Sequence, residues 1–299
     1  MAAEPETLQI STILVPVDFS QRSTTAIGHA DALAQHFGSR VVLMNAIQPS
    51  PYNHSMLESG YSTAGAWPPL EQVQERVAAQ LSEMAQGLSA QTTVETLVRH
   101  GDPASCIEQA AKENHADLVV IPTHGYGPFR RFLIGSVTAK VLHDNPCPVF
   151  TGAHVPTVSD SPSGRYRRVA CAIDLLGPSA KALKWASGFA TSWGADLHVI
   201  HAGGMLGLSP DEKGLFSPAF REHVTEMKEK ETREFLAQNG CEARIHVGFD
   251  MVESYVSKTL REIGAEALVI GRTPKALWER MHAHAFPLIR DSSCPVISV

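Results

Sequence analysis

No stretch of this chain approaches the roughly 20 consecutive apolar residues that a membrane helix requires, so its 43% hydrophobic residues are available to fill cores. The acidic, polar start from Met1 to Gln9 has neither the positive charge nor the apolar run of a secretory leader. The expectation is a cytoplasmic protein with no membrane partner. A basic surplus is missing too, since 25 Lys and Arg against 31 Asp and Glu leave a formal net charge of −6. Nucleic-acid binders usually present a basic face to the phosphate backbone. No DNA or RNA partner is expected.

Cysteine pairing is absent as well. The five cysteines, Cys106, Cys147, Cys171, Cys241 and Cys294, form an odd set with no C-x-x-C pair, which is not a disulfide framework. Cys147 and Cys294 both precede Pro-Val and read as small buried residues in equivalent places. His198 with His201 and His282 with His284 have ligand-like spacing but no cysteine or carboxylate partner close in sequence. No metal site is expected. The chain also lacks a Walker lysine and an evident general base, and nothing in the sequence sets an Asp, Ser or Cys beside His124 as an oriented triad requires. No catalytic residue is assigned.

What is present is an alternation of short apolar runs with helical patterns, in a chain of 299 residues that is long enough for two domains. Thr12 to Val17 reads as a strand. Ala26, Ala30, Leu33, Ala34 and Phe37 then recur at helical spacing, with Gly38 as the stop. Arg40 to Ala46 is a second strand, at the separation of a right-handed βαβ crossover in a parallel sheet. A long polar loop from Gln48 to Pro69 follows, of a length that is usually functional or mobile. Leu70 to Leu88 is helical in pattern, Thr93 to Val98 a strand, and Pro103 to Glu113 a helix with proline in its first turn. Leu118 to Ile121, a helix from Val137 to Asp144 and Pro148 to Thr151 complete the unit.

The order then begins again. Arg168 to Asp174 parallels Thr12 to Asp18, and Ala182, Ala186, Ala190 and Gly194 repeat Ala26, Ala30, Ala34 and Gly38 at one constant offset. A duplicated domain explains this. The expected division is a first domain over 9–153, a Ser- and Pro-rich linker over 154–165, and a second domain over 166–299.

The most informative stretch runs from Ile121 to Val149. Gly125 is followed by nine residues and then Gly135-Ser136 at the head of a helical segment. Backbone N–H groups at a helix start have no intrahelical partners and lie at the positive end of the macrodipole, so this loop reads as an anion cradle. Its spacing resembles the G-x2-G-x9-G-[S/T] nucleotide loop of the universal stress protein family, and Val15 to Ser20 is similar to the family's first strand with its acidic end. One element departs, because Pro122 stands where the family's first glycine falls; it has no N–H and brings a ring close to the ligand position.

The resemblance covers nearly the whole chain, as two tandem domains. It implies an α/β fold in which each half is a doubly wound, five-stranded parallel sheet flanked by helices, Rossmann-like, with ligand at the carboxyl ends of the strands. It implies ATP or a related adenine nucleotide, with Mg2+ accompanying the phosphates, against Pro16, Asp18, Ala46, Pro122, His124, Gly125, Gly135, Ser136 and Val137. Arg130 and Arg131 lie in the same loop and suit a terminal phosphate. Capping of the turn before Ser20 and Ser23 is the alternative reading of Asp18. Family members usually pair through their last strands, so the resemblance further implies that the two halves form an intramolecular pseudo-dimer, with a homodimer of chains as an additional form.

In the second half the cradle is eroded. Gly271 keeps the first glycine, but Pro274 stands at the second, and His282-Ala283 or Ala283-His284 replace Gly-Ser. Asp174 survives, and Arg272, Lys275, Arg280 and His282 remain as cations for an anion. The function expected from the resemblance is a stress-response sensor or regulator that binds nucleotide in its first domain. A slow ATPase and a nucleotide-free scaffold are the alternatives.

Overall fold

The computed structural model describes residues 8–48, 69–123, 134–152, 165–202, 217–272 and 278–299. It divides into two compact units, with the division between Val149 and Phe150. The expected linker 154–165 except Arg165, most of the loop after Gln48, and the loop residues His124, Gly125, Arg130 and Arg131 lie outside the described residues.

The first half of the chain alternates strand and helix: β1 (Thr12–Pro16), α1 (Gln21–Phe37), β2 (Arg40–Ile47), α2 (Leu70–Ala85), β3 (Thr93–His100), α3 (Pro103–Glu113), β4 (Leu118–Ile121), α4 (Ser136–Asp144) and β5 (Val149–Thr151), the last straddling the division. The strands run in the order β3-β2-β1-β4, with β5 entering beside β4, where the Val119 N–H donates to the Pro148 carbonyl at 2.9 Å. Pairing is parallel, with Thr12 opposite Arg40 and Ile13 opposite Leu118. Parallel strands covered on both faces need continuous apolar runs, and Leu118 to Ile121 is buried at every position. α1 lays Ala26, Ile27, Ala30, Leu33 and Ala34 into the same core. It ends on Gly38 in the left-handed region, φ 70°, where a glycine carries no Cβ penalty.

The second unit repeats the scheme with β6 (Arg168–Ala172), α5 (Gly177–Trp193), β7 (Asp196–Ala202), α6 (Pro218–Gln238), β8 (Arg244–Gly248), α7 (Val252–Ile263), β9 (Ala267–Ile270), α8 (Trp278–Asp291) and β10 (Val296–Ser298). Its order is β10-β9-β6-β7-β8, again parallel. Each half is therefore a doubly wound α/β unit of five strands. Tyr166, Phe189 and Trp193 pack at centroid separations of 5.1 to 6.2 Å beneath α5, and burial raises the Tyr166 hydroxyl pKa. None of the described helices is long and apolar enough to cross a membrane.

The same polar clamp closes the amino end of both sheets. Asp117 Oδ2 accepts from the N–H groups of Ser11 (2.7 Å) and Thr12 (3.0 Å). In the second half Glu266 Oε2 accepts from those of Arg167 and Arg168. A carboxylate just before the inner strand thus satisfies two backbone donors that would otherwise lack partners.

Asp102 ties two helices together. As N-cap of α3 its carboxylate accepts from the Ser105 N–H (2.9 Å), the Ser105 hydroxyl (2.7 Å) and, from α4, Lys140 Nζ (2.9 Å). The Ser105 hydroxyl and then Lys140 hold its pKa down at about 2, from an ordinary 3.8. At 53% side-chain exposure the ion pair itself is screened by water, so the cap carries most of the effect. A depressed carboxylate stabilises the fold above its unfolded pKa and stops doing so as pH falls through the folded value. Asp102→Ala should cost about 0.5 to 2 kcal/mol in urea unfolding at neutral pH, and the difference from the parent should shrink between pH 3.8 and about 2. An undiminished difference at the acid end would count against this role.

Candidate functional site

The carboxyl ends of β1 and β4 lie side by side, and each strand leads through a short turn into a helix. Asp18 follows β1. Its Oδ1 accepts from the Ser20 N–H (3.0 Å), the Ser20 hydroxyl (2.6 Å) and the Ser23 hydroxyl (2.5 Å), while its own N–H donates to Ser23 Oγ at 3.0 Å. Ser20 caps α1 by accepting from the Ser23 N–H. Phe19 between them is held at φ 61°, an uncommon left-handed conformation for a side chain of its size. Oδ1 is therefore committed to the turn. Oδ2 takes no hydrogen bond among the described residues, and Asp18 is only half-buried. The capping reading of Asp18 thus accounts for Oδ1 alone.

Pro16 ends β1 opposite Met44, and β2 runs on past this last pair to Ile47, so Ala46 lies beyond the end of its inner neighbour. Asn45 fastens that edge by donating from Nδ2 to the Val17 carbonyl at 2.7 Å, beside a 2.8 Å bond from the Val17 N–H to the Met44 carbonyl.

On the β4 side, Pro122 and Thr123 are buried. The Gly135 N–H donates to the Thr123 carbonyl and the Thr138 hydroxyl to the Pro122 carbonyl, both at 2.8 Å. These two bonds fix where α4 begins. Gly135 is its N-cap, in extended conformation with no side-chain cap, and the Ala139 N–H already bonds the Gly135 carbonyl. The N–H groups of Ser136, Val137 and Thr138 therefore sit in the first turn without a capping acceptor, next to the exposed Ser136 hydroxyl. The Gly135 N–H is already bonded to the Thr123 carbonyl, so the open N–H groups of this turn are those of Ser136, Val137 and Thr138. Thr123 and Thr138 carry the geometry without any motif to mark them in the sequence.

The second half keeps the first turn. Asp174 Oδ1 accepts from the Leu176 N–H (2.9 Å) and the Ser179 hydroxyl (2.6 Å), with Leu175 at φ 62°. His201 replaces Asn45, with Nδ1 3.0 Å from the Ile173 carbonyl. Gly271 has a packing reason to be glycine, since a Cβ there would meet the Pro178 carbonyl oxygen at 3.2 Å. α8 begins at Trp278, several residues before the place where the sequence pattern put its start, so His282 to His284 lie inside the helix. Their N–H groups are not a helix start, and Pro287 leaves the Ala283 carbonyl without its helical donor. His198 and His201, spaced like ligands, use ring nitrogens on His246 and Ile173 instead.

The universal stress protein family matches residues 9–151 and again 165–299, and the chain belongs to that family. A universal stress protein of Thermus aquaticus is 33% identical over 138 residues, which is 46% of this chain and 95% of the relative. Another, from Methanocaldococcus jannaschii, is 27% identical over 139 residues, 46% of this chain and 78% of its own. These relatives thus align with about half of the chain. Among solved structures, a universal stress protein from Archaeoglobus fulgidus superposes with a TM-score of 0.64 at 20% identity, covering 97% of this chain and 96% of that one.

The Asp18 turn makes a direct prediction. Asp18→Ala removes an acceptor from three donors and should cost about 2 to 3 kcal/mol of stability, whereas Asp18→Asn keeps a carbonyl oxygen for the turn and should cost less. Urea titrations of the two variants in which Asn is as damaging as Ala would show that the charge, and not the acceptor, holds the turn.

Proposed function

We propose that the first half binds ATP or a related adenine nucleotide and that the protein acts as a nucleotide-responsive sensor or regulator in the stress response. The observation that carries this reading is the pairing, at adjacent strand ends, of an uncommitted Asp18 oxygen with the uncapped first turn of α4. A helix N-terminus supplies N–H groups and positive potential for phosphates. A carboxylate oxygen accepts from ribose hydroxyls, as in other doubly wound folds. Pro16, Ala46 and Pro122 would border the nucleoside, with His124 and Gly125 on the connecting loop, and Mg2+ would arrive on the phosphates. The second half, whose α8 begins elsewhere, would be silent.

The domains proposed are 9–153 and 166–299, joined by the linker 154–165, in a cytoplasmic chain. We further propose that the two halves pair through their C-P-V termini as an intramolecular pseudo-dimer, since internal pairing would remove two open sheet edges. Halves expressed separately should then dimerise or aggregate in sedimentation. Stable monomeric halves would argue against the pairing.

Gly135→Asp separates ligand binding from folding. An Asp N-cap accepts from the first-turn N–H groups and slightly stabilises the helix relative to Gly. It also places a negative charge where a phosphate would lie. The melting temperature should stay level or rise while calorimetry shows ATP affinity weakened at least tenfold, about 1.4 kcal/mol. Unchanged affinity with one site per chain would remove the α4 assignment, and a two-site isotherm would remove the silence of the second half.

A further inference from the structure

The second half contains a histidine pair, one ring buried and the other half-buried, that the proposed nucleotide site does not use. His198 on β7 is 4% exposed, and its Nδ1 lies 2.9 Å from Nε2 of His246 on the outer strand β8. The rings stack at 5.2 Å with an interplanar angle of 19°. The strands are in parallel register there, with His198 opposite Arg244 and Ile200 opposite His246. His198 Nε2 is buried and has no hydrogen-bond partner among the described residues.

Counting hydrogens shows what this arrangement tolerates. Two neutral imidazoles carry one N–H each, and a single N–H···N link uses one hydrogen and one lone pair. If His198 Nδ1–H is the donor, the second hydrogen sits on His246 Nδ1, and the buried His198 Nε2 keeps only a lone pair. Adding one proton while the link stays intact places a hydrogen on both outer nitrogens, whichever ring donates. One of those is His198 Nε2, where an N–H faces no acceptor among the described residues. A second proton sets N–H against N–H and abolishes the link. The second proton is thus opposed by the geometry whichever ring donates, for as long as β8 stays in place.

We propose that the His198–His246 pair is a proton-operated latch that holds β8 onto β7 while neutral and lets this sheet edge open on acidification. Arg244 on β8 opposes added positive charge on both rings and Arg168 on β6 opposes it on His198, while Asp196 favours it on His198 and Glu262 on His246, each from a carboxylate already engaged elsewhere. Asp196 on β7 is paired with Arg244 at 3.2 Å, and Glu262 on α7 lies 3.7 Å from Lys258. Desolvation, followed for His198 by the neighbouring imidazole, lowers the pKa of both histidines below 6.5. A histidine held neutral in the fold protects it above its unfolded pKa, so stability is lost as pH falls below 6.5. Opening β8 would also disturb α7, because Gly248 at the end of β8 is in close contact with the Tyr255 ring, where an added Cβ would come within 2.1 Å.

Hydrogen–deuterium exchange of the full chain tests the latch. Protection of the β8 amides, corrected for intrinsic exchange, should fall at least about tenfold between about pH 7.5 and about pH 5.5, with β9 unaffected. The double variant His198→Leu/His246→Leu should show no such fall. Constant β8 protection in the parent, or an equal fall in the double variant, would overturn the proposal. Should that variant not fold, an NMR titration of the two imidazoles in the parent decides. Titration below the ordinary histidine range in step with β8 exchange supports the latch; two independent, ordinary titrations overturn it.

Discussion

Each half depends on one turn that converts its first strand into its first helix. A parallel strand delivers its chain at the carboxyl end of the sheet with unpaired backbone groups, and the helix that follows has four N–H groups with no intrahelical partners. Asp18 and Ser23 meet both demands in the first half, as Asp174 and Ser179 do in the second. The geometry forces Phe19 and Leu175 into the left-handed region, a local strain repaid by the hydrogen bonds on either side. Once this turn is set, α1 and α5 return along the sheet face and the crossover to β2 and β7 follows.

What distinguishes the halves is the second strand-to-helix passage. In the first, bonds from Gly135 to Thr123 and from Thr138 to Pro122 start α4 beside the end of β4 with an uncapped first turn. In the second, α8 starts early and carries the corresponding residues in its interior. A duplicated fold can therefore keep its framework in both copies while this passage differs between them. Function resides in such sites and not in the fold that carries them.

The framework was largely legible in the sequence because buried parallel strands and amphipathic helices impose strong periods. Nearly every expected element appears, with differences at the ends: the helix expected to Leu88 stops at Ala85, and β3 continues to His100. The repeat at constant offset identified equivalent positions before any contact was known. Other features were not legible. Thr138 bonds a residue 16 positions away, and the His198–His246 link joins residues 48 apart, so neither leaves a local pattern. Gly271 looked like a remnant of a ligand loop, whereas the close approach of Pro178 gives it a packing role. The positions equivalent to Gly-Ser in the second half do not mark a helix start, because α8 already runs through them from Trp278.

Whether the first half holds an adenine nucleotide is most directly measured on protein purified without denaturant. The bound small molecules are released by denaturation and identified by mass spectrometry, before and after incubation with ATP. The account predicts an adenine nucleotide at up to one per chain, displaced or exchanged by added ATP. Protein that carries none and takes up none would contradict it, and the uncapped turn of α4 would then be a feature of the fold alone.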